Sequence, residues 1–195
     1  MTTEDRATTS TSPSSYNPKM GLKAGRVTEL RIFFHVKPGH AELLKEACRK
    51  FVGSGARTSI ENALRVGIHD QSLTLFDNDT RFLFATTFDT DWDPYIEDSV
   101  NLVGKENYFS WLQHLEEVPE YPMDDLPSID EMKVLLNANR VTATTFVRSF
   151  PDVTVRQQYK MVQLQKAFEQ VLDDPEAAQA LAHPALKPLL EQAAD

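Results

Sequence analysis

Arg31, Phe33 and His35 stand at two-residue intervals, and Arg65 with His69 repeats the arginine–histidine combination further along the chain. An imidazole exchanges protons near neutral pH, and a guanidinium holds an anionic or enolate-like oxygen. A phenylalanine between them would pack against a planar molecule. These types therefore suggest acid–base chemistry on a small oxygen-rich substrate. His35 or His69 would be the proton acceptor and Arg31 or Arg65 the anion holder, with Phe33, Thr144, Phe146 and Arg148 lining the substrate. The structural alternative is that Arg31 pairs with Glu29 or Asp89 and that His35 simply ends a strand.

Other chemistries have weaker support. Cys48 is the single cysteine, which excludes an intrachain disulfide and a cysteine-based metal cage. It falls on the apolar stripe of a predicted helix, the usual place of a small core thiol. Asp89, Asp91 and Asp93 alternate as in a calcium loop, but Pro94 and Val100 stand where that loop needs a glycine and an acid. Helix capping and loop solubility explain the three aspartates, and no metal is expected. No glycine-rich phosphate loop, zinc-ligand spacing or nucleophile elbow is present. Haem is the alternative cofactor, with His35, His69, His114 or His183 as possible axial ligands.

The elements that must position these residues follow from periodicity. From Val27, Leu30, Ile32, Phe34 and Val36 alternate with Glu29, Arg31, Phe33 and His35, the two-residue period of a strand. Pro38-Gly39 turns the chain into a helix over His40 to Val52, with Leu43, Leu44, Ala47, Cys48 and Phe51 on one face and Gly53 and Gly55 as stops. A second strand is expected from Ala63 through His69, resuming at Ser72 to Phe76 after a kink or bulge near Asp70-Gln71. Asn78-Asp79 tolerate positive φ and predict a hairpin to a third, nearly all-apolar strand, Arg81 to Phe88. Asp93 caps a helix over Pro94 to Val103. Helical pieces over Tyr108 to Glu116 and Ser128 to Asn137 flank the Pro-rich stretch Val118 to Pro127. Val141 to Arg148 reads as a fourth strand. Thr154 with Gln157 resembles a capping box for a helix to Leu172 whose stripe is Met161, Leu164, Phe168 and Val171, and a last helical segment starts at Pro175.

Without the helical insertion at 104–139, the order is βαββαβ, an α+β domain of ferredoxin-like type over 25–150. Residues 1–24 are expected to be a disordered Ser/Thr-rich segment and 151–195 a C-terminal helical extension. Two helices cover one face of such a sheet, and the opposite face, bearing Arg31, Phe33 and His35, needs another cover. The run from Val27 to Val103, ending in Phe84-Ala-Thr-Thr-Phe-Asp-Thr-Asp-Trp-Asp-Pro-Tyr-Ile, resembles the dimeric α/β-barrel superfamily. Cofactor-free monooxygenases of antibiotic biosynthesis, muconolactone isomerases, chlorite dismutases and dye-decolourising peroxidases belong to that superfamily. The resemblance implies a homodimer whose two sheets enclose a cavity. The Gly-x-x-Asp-Gly motif of the dye-decolourising peroxidases is missing from the chain.

A net charge of −9 argues against a nucleic-acid groove and against docking on an anionic membrane. No apolar run approaches a membrane span, and the N-terminus lacks the apolar centre of a secretory signal, so a cytoplasmic location is expected. The function expected from these residues is a small-molecule enzyme or ligand-binding protein using the barrel cavity, monooxygenase-like or isomerase-like. The alternatives are a haem-dependent oxidoreductase and a non-catalytic interaction protein working through its inserted helices and N-terminal arm.

Overall fold

The structure is a computed structural model and describes residues 21–53 and 59–193. Residues 1–20, the bulk of the expected disordered segment, and Gly55 lie outside them. The chain divides into two compact units, 1–155 and 156–195.

The first unit is α+β, built on an antiparallel sheet of β1 (Lys23–Ala24), β2 (Val27–His35), β3 (Ile68–Phe76) and β4 (Arg81–Phe88) in the order β1-β2-β4-β3. The strand expected third thus lies between those expected first and second. Asp77, Asn78 and Asp79 all have positive φ, closing the β3–β4 hairpin where Asn78-Asp79 predicted it. Around the sheet run α1 (Ala41–Gly53), α2 (Ile60–Val66), α3 (Trp92–Val103), α4 (Lys105–Leu112) and α5 (Ile129–Ala138).

The core forms on one sheet face because Leu30, Ile32 and Phe34 of β2 and Phe82, Phe84 and Phe88 of β4 point the same way and are buried. Trp111 of α4 packs over Phe84 with rings parallel and centroids 5.8 Å apart, and Tyr95 of α3 stacks on Phe88 at 3.8 Å. Lys133 of α5 is buried and bridges to α3 through Asp93 at 2.8 Å and Glu97 at 2.5 Å. Burial works against its charge, but the two carboxylates hold its pKa above the ordinary value.

Three expectations are corrected. Residues 60–66 form α2 rather than the start of a strand. Ser59 caps it by accepting from the Asn62 amide, and Gly67, at φ 75°, ends it in a left-handed turn that a strand could not contain. Val141 to Arg148 is not a strand either. The outer edge of β2 has little room: β1 pairs with Val27 and Thr28, and the Glu29 amide donates to the Leu22 carbonyl. Only Asn139 to Val141 finds a place, with the Phe33 amide donating to Asn139 and the Val141 amide to Arg31. Finally, α3 starts at Trp92 after Asp91, so Asp93 sits in its first turn rather than at its cap.

The second unit continues α6 (Val155–Leu172) and adds two short helices, α7 (Ala178–Leu181) and α8 (Lys187–Ala193), each preceded by a 3₁₀ turn. Among the described residues, no helix is long and apolar enough to cross a membrane.

Candidate functional site on the mixed face of the sheet

The face of the sheet opposite the core is laid out by strand register. His35 lies opposite Arg81, Phe33 opposite Leu83, Arg31 opposite Ala85 and Glu29 opposite Thr87. Across β4, Phe76, Thr74, Ser72 and Asp70 continue those four rows. The sequence-predicted Arg31, Phe33 and His35 are therefore brought together as expected, on a face that is aromatic at one end and ionic at the other.

The ionic end is closed. After Val141 the chain leaves the edge of β2, the Ala143 amide donates to Glu29 at 2.9 Å, and Arg148 reaches Thr87 at 3.4 Å. Glu29 and Thr87 are buried as a result. Arg31 makes an ion pair with the Glu29 carboxylate. Its guanidinium is thus already paired with a buried carboxylate.

His69 belongs to the same closed end. Ile68 pairs with Phe88 and Asp70 with Thr87, so His69 is the extra residue of a β-bulge, a device that re-aims a side chain. The bulge lies at His69, next to Asp70-Gln71, where the sequence predicts a kink or bulge. His69 Nε2 is 2.6 Å from Asp89 Oδ1, and Arg148 Nη2 is 2.9 Å from His69 Nδ1. A guanidinium only donates, so Nδ1 accepts and Nε2 carries the proton donated to Asp89. Asp89 also receives the Val155 amide at 2.9 Å. With both ring nitrogens engaged and its side chain 2% exposed, His69 joins Asp89 to Arg148 like a clasp. Arg148, expected to bind substrate, is the other half of that clasp. Arg65 stands exposed in the last turn of α2, away from the sheet, and Thr144 is exposed on an irregular segment with Phe146 half-buried beside it.

The aromatic end remains open. Phe33 and Phe76 meet edge to face with centroids 5.9 Å apart, and Phe33, Phe34, His35 and Arg81 line an open depression of about 180 Å³. His35 Nδ1 is 2.6 Å from Glu117 Oε1, and the His35 amide donates to the same carboxylate at 3.0 Å. Glu117 is held there by the segment after α4, because Glu116 donates its amide to the His35 carbonyl and Leu115 bridges to Val36. The carboxylate accepts Nδ1–H and turns the lone pair of Nε2 outward, where no described residue takes it.

Glu117, Arg81 and Phe76 escaped sequence reasoning. Strand parity places Arg81 on the same face as Leu83, Ala85 and Thr87, and that signal was available. Glu117 lies in an acidic stretch and carries no local signal for its contact with His35.

Other histidines have other duties. His40 and His114 face each other through their Nδ1 atoms at 3.0 Å, and burial, then the neighbouring His40 and Lys37, hold the His114 pKa below its ordinary value. His183 accepts the Ala185 amide at 3.2 Å in the second unit. The depressions beside His35 and His69 measure about 180 and 240 Å³ and are open, whereas ligand pockets for drug-sized molecules begin near ~300 Å³. Among the described residues no group of three or more His, Cys, Asp or Glu is placed to hold a metal. Asp89, Asp91 and Asp93 instead engage His69, Lys23 and Lys133. Burial pushes the Cys48 thiol up to about 12, which makes it an inert core group.

Comparison with protein-family models, with curated proteins and with solved structures finds no match for this chain.

Proposed function

We propose that the chain binds a small, planar, oxygen-rich anion at the open end of the mixed sheet face and exchanges a proton with it through His35. One observation carries this reading: Glu117 fixes the His35 ring by Nδ1 and leaves Nε2 without a described partner at the rim of a depression shared with Phe33 and Arg81. In the reaction, Nε2 takes the substrate proton and Glu117 stabilises the imidazolium that forms. Arg81 stands opposite His35 in the register; its Nε is 3.4 Å from Asp77 Oδ2 in an exposed pair, and its remaining nitrogens hold the anionic oxygen that develops. Phe33 and Phe76 supply the apolar surface for the planar part of the substrate. Deprotonation of this kind is the opening step of both isomerase-like and cofactor-free monooxygenase-like chemistry.

The ferredoxin-like reading is supported by the central place of β4 and by the position of Asn139 to Val141 beside β1 on the outer edge of β2, where a fourth strand would lie. A second sheet laid flat across the mixed face has less support, because the chain from Ala143 to Arg148 occupies the end bearing Glu29 and Thr87.

The test is a titration with 2-hydroxybenzoate and a panel of aromatic hydroxy-acids, read on the ¹⁵N resonances of the histidine rings. A saturable shift at His35 Nε2, lost in His35→Gln and at least about tenfold weaker in Arg81→Gln, is the expected result, in line with ~1.5–3 kcal/mol for a hydrogen bond to a charged group. Equal binding by both variants, or shifts confined to other histidines, would refute the assignment.

A further inference from the structure

The helices of the second unit carry an apolar stripe that nothing in that unit buries. None of the residues 156–193 is buried. Met161, Leu164 and Val171 are exposed large hydrophobics, at 60%, 67% and 43%. A helical segment that buries no side chain recovers little of its ordering entropy, so this stripe needs a partner. With Phe168, these residues follow a 3-4-3 spacing, the a and d positions of a heptad seam. Met161, Leu164 and Phe168 of α6 face Leu189 and Ala193 of α8 across an apolar groove of about 450 Å³.

Charge identifies the occupant. Residues 155–166 hold Arg156, Lys160 and Lys166 and no acid, while 167–174 hold Glu169, Asp173 and Asp174 and no base. This distribution opposes the helix macrodipole, which favours acids at the N-terminus and bases at the C-terminus. It therefore weakens an isolated α6. It is complementary, however, when a second α6 runs the other way: Arg156 and Lys160 lie along the stretch of the other copy that holds Asp173, Asp174 and Glu176, Lys166 lies at the axis, and the two dipoles oppose. The same antiparallel register sets Met161 against Val171 and Leu164 against Phe168 of the partner, so the seam is complementary to itself, as a two-fold interface must be. A parallel pair would set like charge on like.

We infer that two copies of this chain associate through α6, antiparallel about a two-fold axis passing between Leu164 and Phe168, with α8 flanking the seam. The inference stands independently of the proton-transfer site on the sheet.

Sedimentation equilibrium of the full chain tests it. The expected mass is twice the 22.1 kDa of the chain. Leu164→Glu with Phe168→Glu yields a monomer whose fluorescence from the buried Trp92 and Trp111 is unchanged, showing that the sheet unit is still folded. Lys160→Glu, an exposed change, weakens dimerisation at least about tenfold, and adding Asp173→Lys and Asp174→Lys restores it. Orientation is read in a Cys48→Ala background. Chains carrying Met161→Cys mixed with chains carrying Val171→Cys oxidise to a cross-linked heterodimer, while Met161→Cys alone does not link, its copies lying ~15 Å apart along the axis. A monomeric parent chain, a dimer that survives Leu164→Glu with Phe168→Glu, or rapid homotypic linking of Met161→Cys would each overturn the proposal.

Discussion

At the scale of single residues, the two histidines of the sheet differ in what their ring nitrogens touch. His69 spends Nε2 on Asp89 and Nδ1 on Arg148, whereas His35 spends only Nδ1, on Glu117. The same residue type is thus a fastener in one row and a candidate base in another. Removing the fastener leaves Asp89 and Arg148 partly buried without their central partner. His69→Ala is expected to cost about 1–3 kcal/mol, measured as a lower urea midpoint at unchanged slope. His114 sets a pH dependence. Folding holds its pKa below 6.5, so the unfolded chain binds more protons as the pH falls through that value. Stability is therefore full above pH 6.5 and declines below it. Thermal unfolding followed by tryptophan fluorescence should show the midpoint temperature of the parent chain falling as the pH goes from about 7.5 to about 5.5, the range of imidazole titration. His114→Asn should flatten that dependence.

At the scale of elements, the turn between α2 and β3 decides where the bulge lies. Gly67 sits at φ 75°, and a β-carbon there would come 3.1 Å from that of Asp89, the residue that anchors His69. Gly67→Ala is expected to destabilise the sheet unit by about 1–2 kcal/mol through left-handed strain and to disturb the His69–Asp89 contact. Chemical denaturation gives the first effect, and the His69 ring ¹⁵N shifts report the second. Ser59 before the helix and Gly67 after it were start and stop signals available in the sequence. The alternation Leu64, Val66, Ile68 obscured them, since a seven-residue helix is too short to declare a 3.6-residue period against it. In Val141 to Arg148 the propensity was genuine but the partner was missing, because the edge of β2 had been taken by β1 and the Leu22 carbonyl.

For the whole molecule, the chain carries two surfaces whose requirements differ. The open end of the mixed face is small and polar at its rim, suited to a small anion. The α6 stripe is long, apolar and self-complementary in charge, suited to another copy. If both readings hold, the Leu164→Glu, Phe168→Glu chain remains competent to bind the anion as a monomer, because no residue of the sheet site lies in the second unit. The sequence by itself determined the α+β class, the parity of β2, the hairpin at Asn78-Asp79 and the apolar stripe of α6, and it placed a kink or bulge one residue from the one at His69. Each of these is a local pattern, written in residues close enough together for sterics and burial to act on them as a unit. Only the tertiary structure decided which groups the histidines and arginines meet: Glu117 at His35, Asp89 and Arg148 at His69, Glu29 at Arg31 and Asp77 at Arg81. Those at the histidines are carboxylates and a guanidinium distant in the chain, and no periodicity records which distant charge will arrive first.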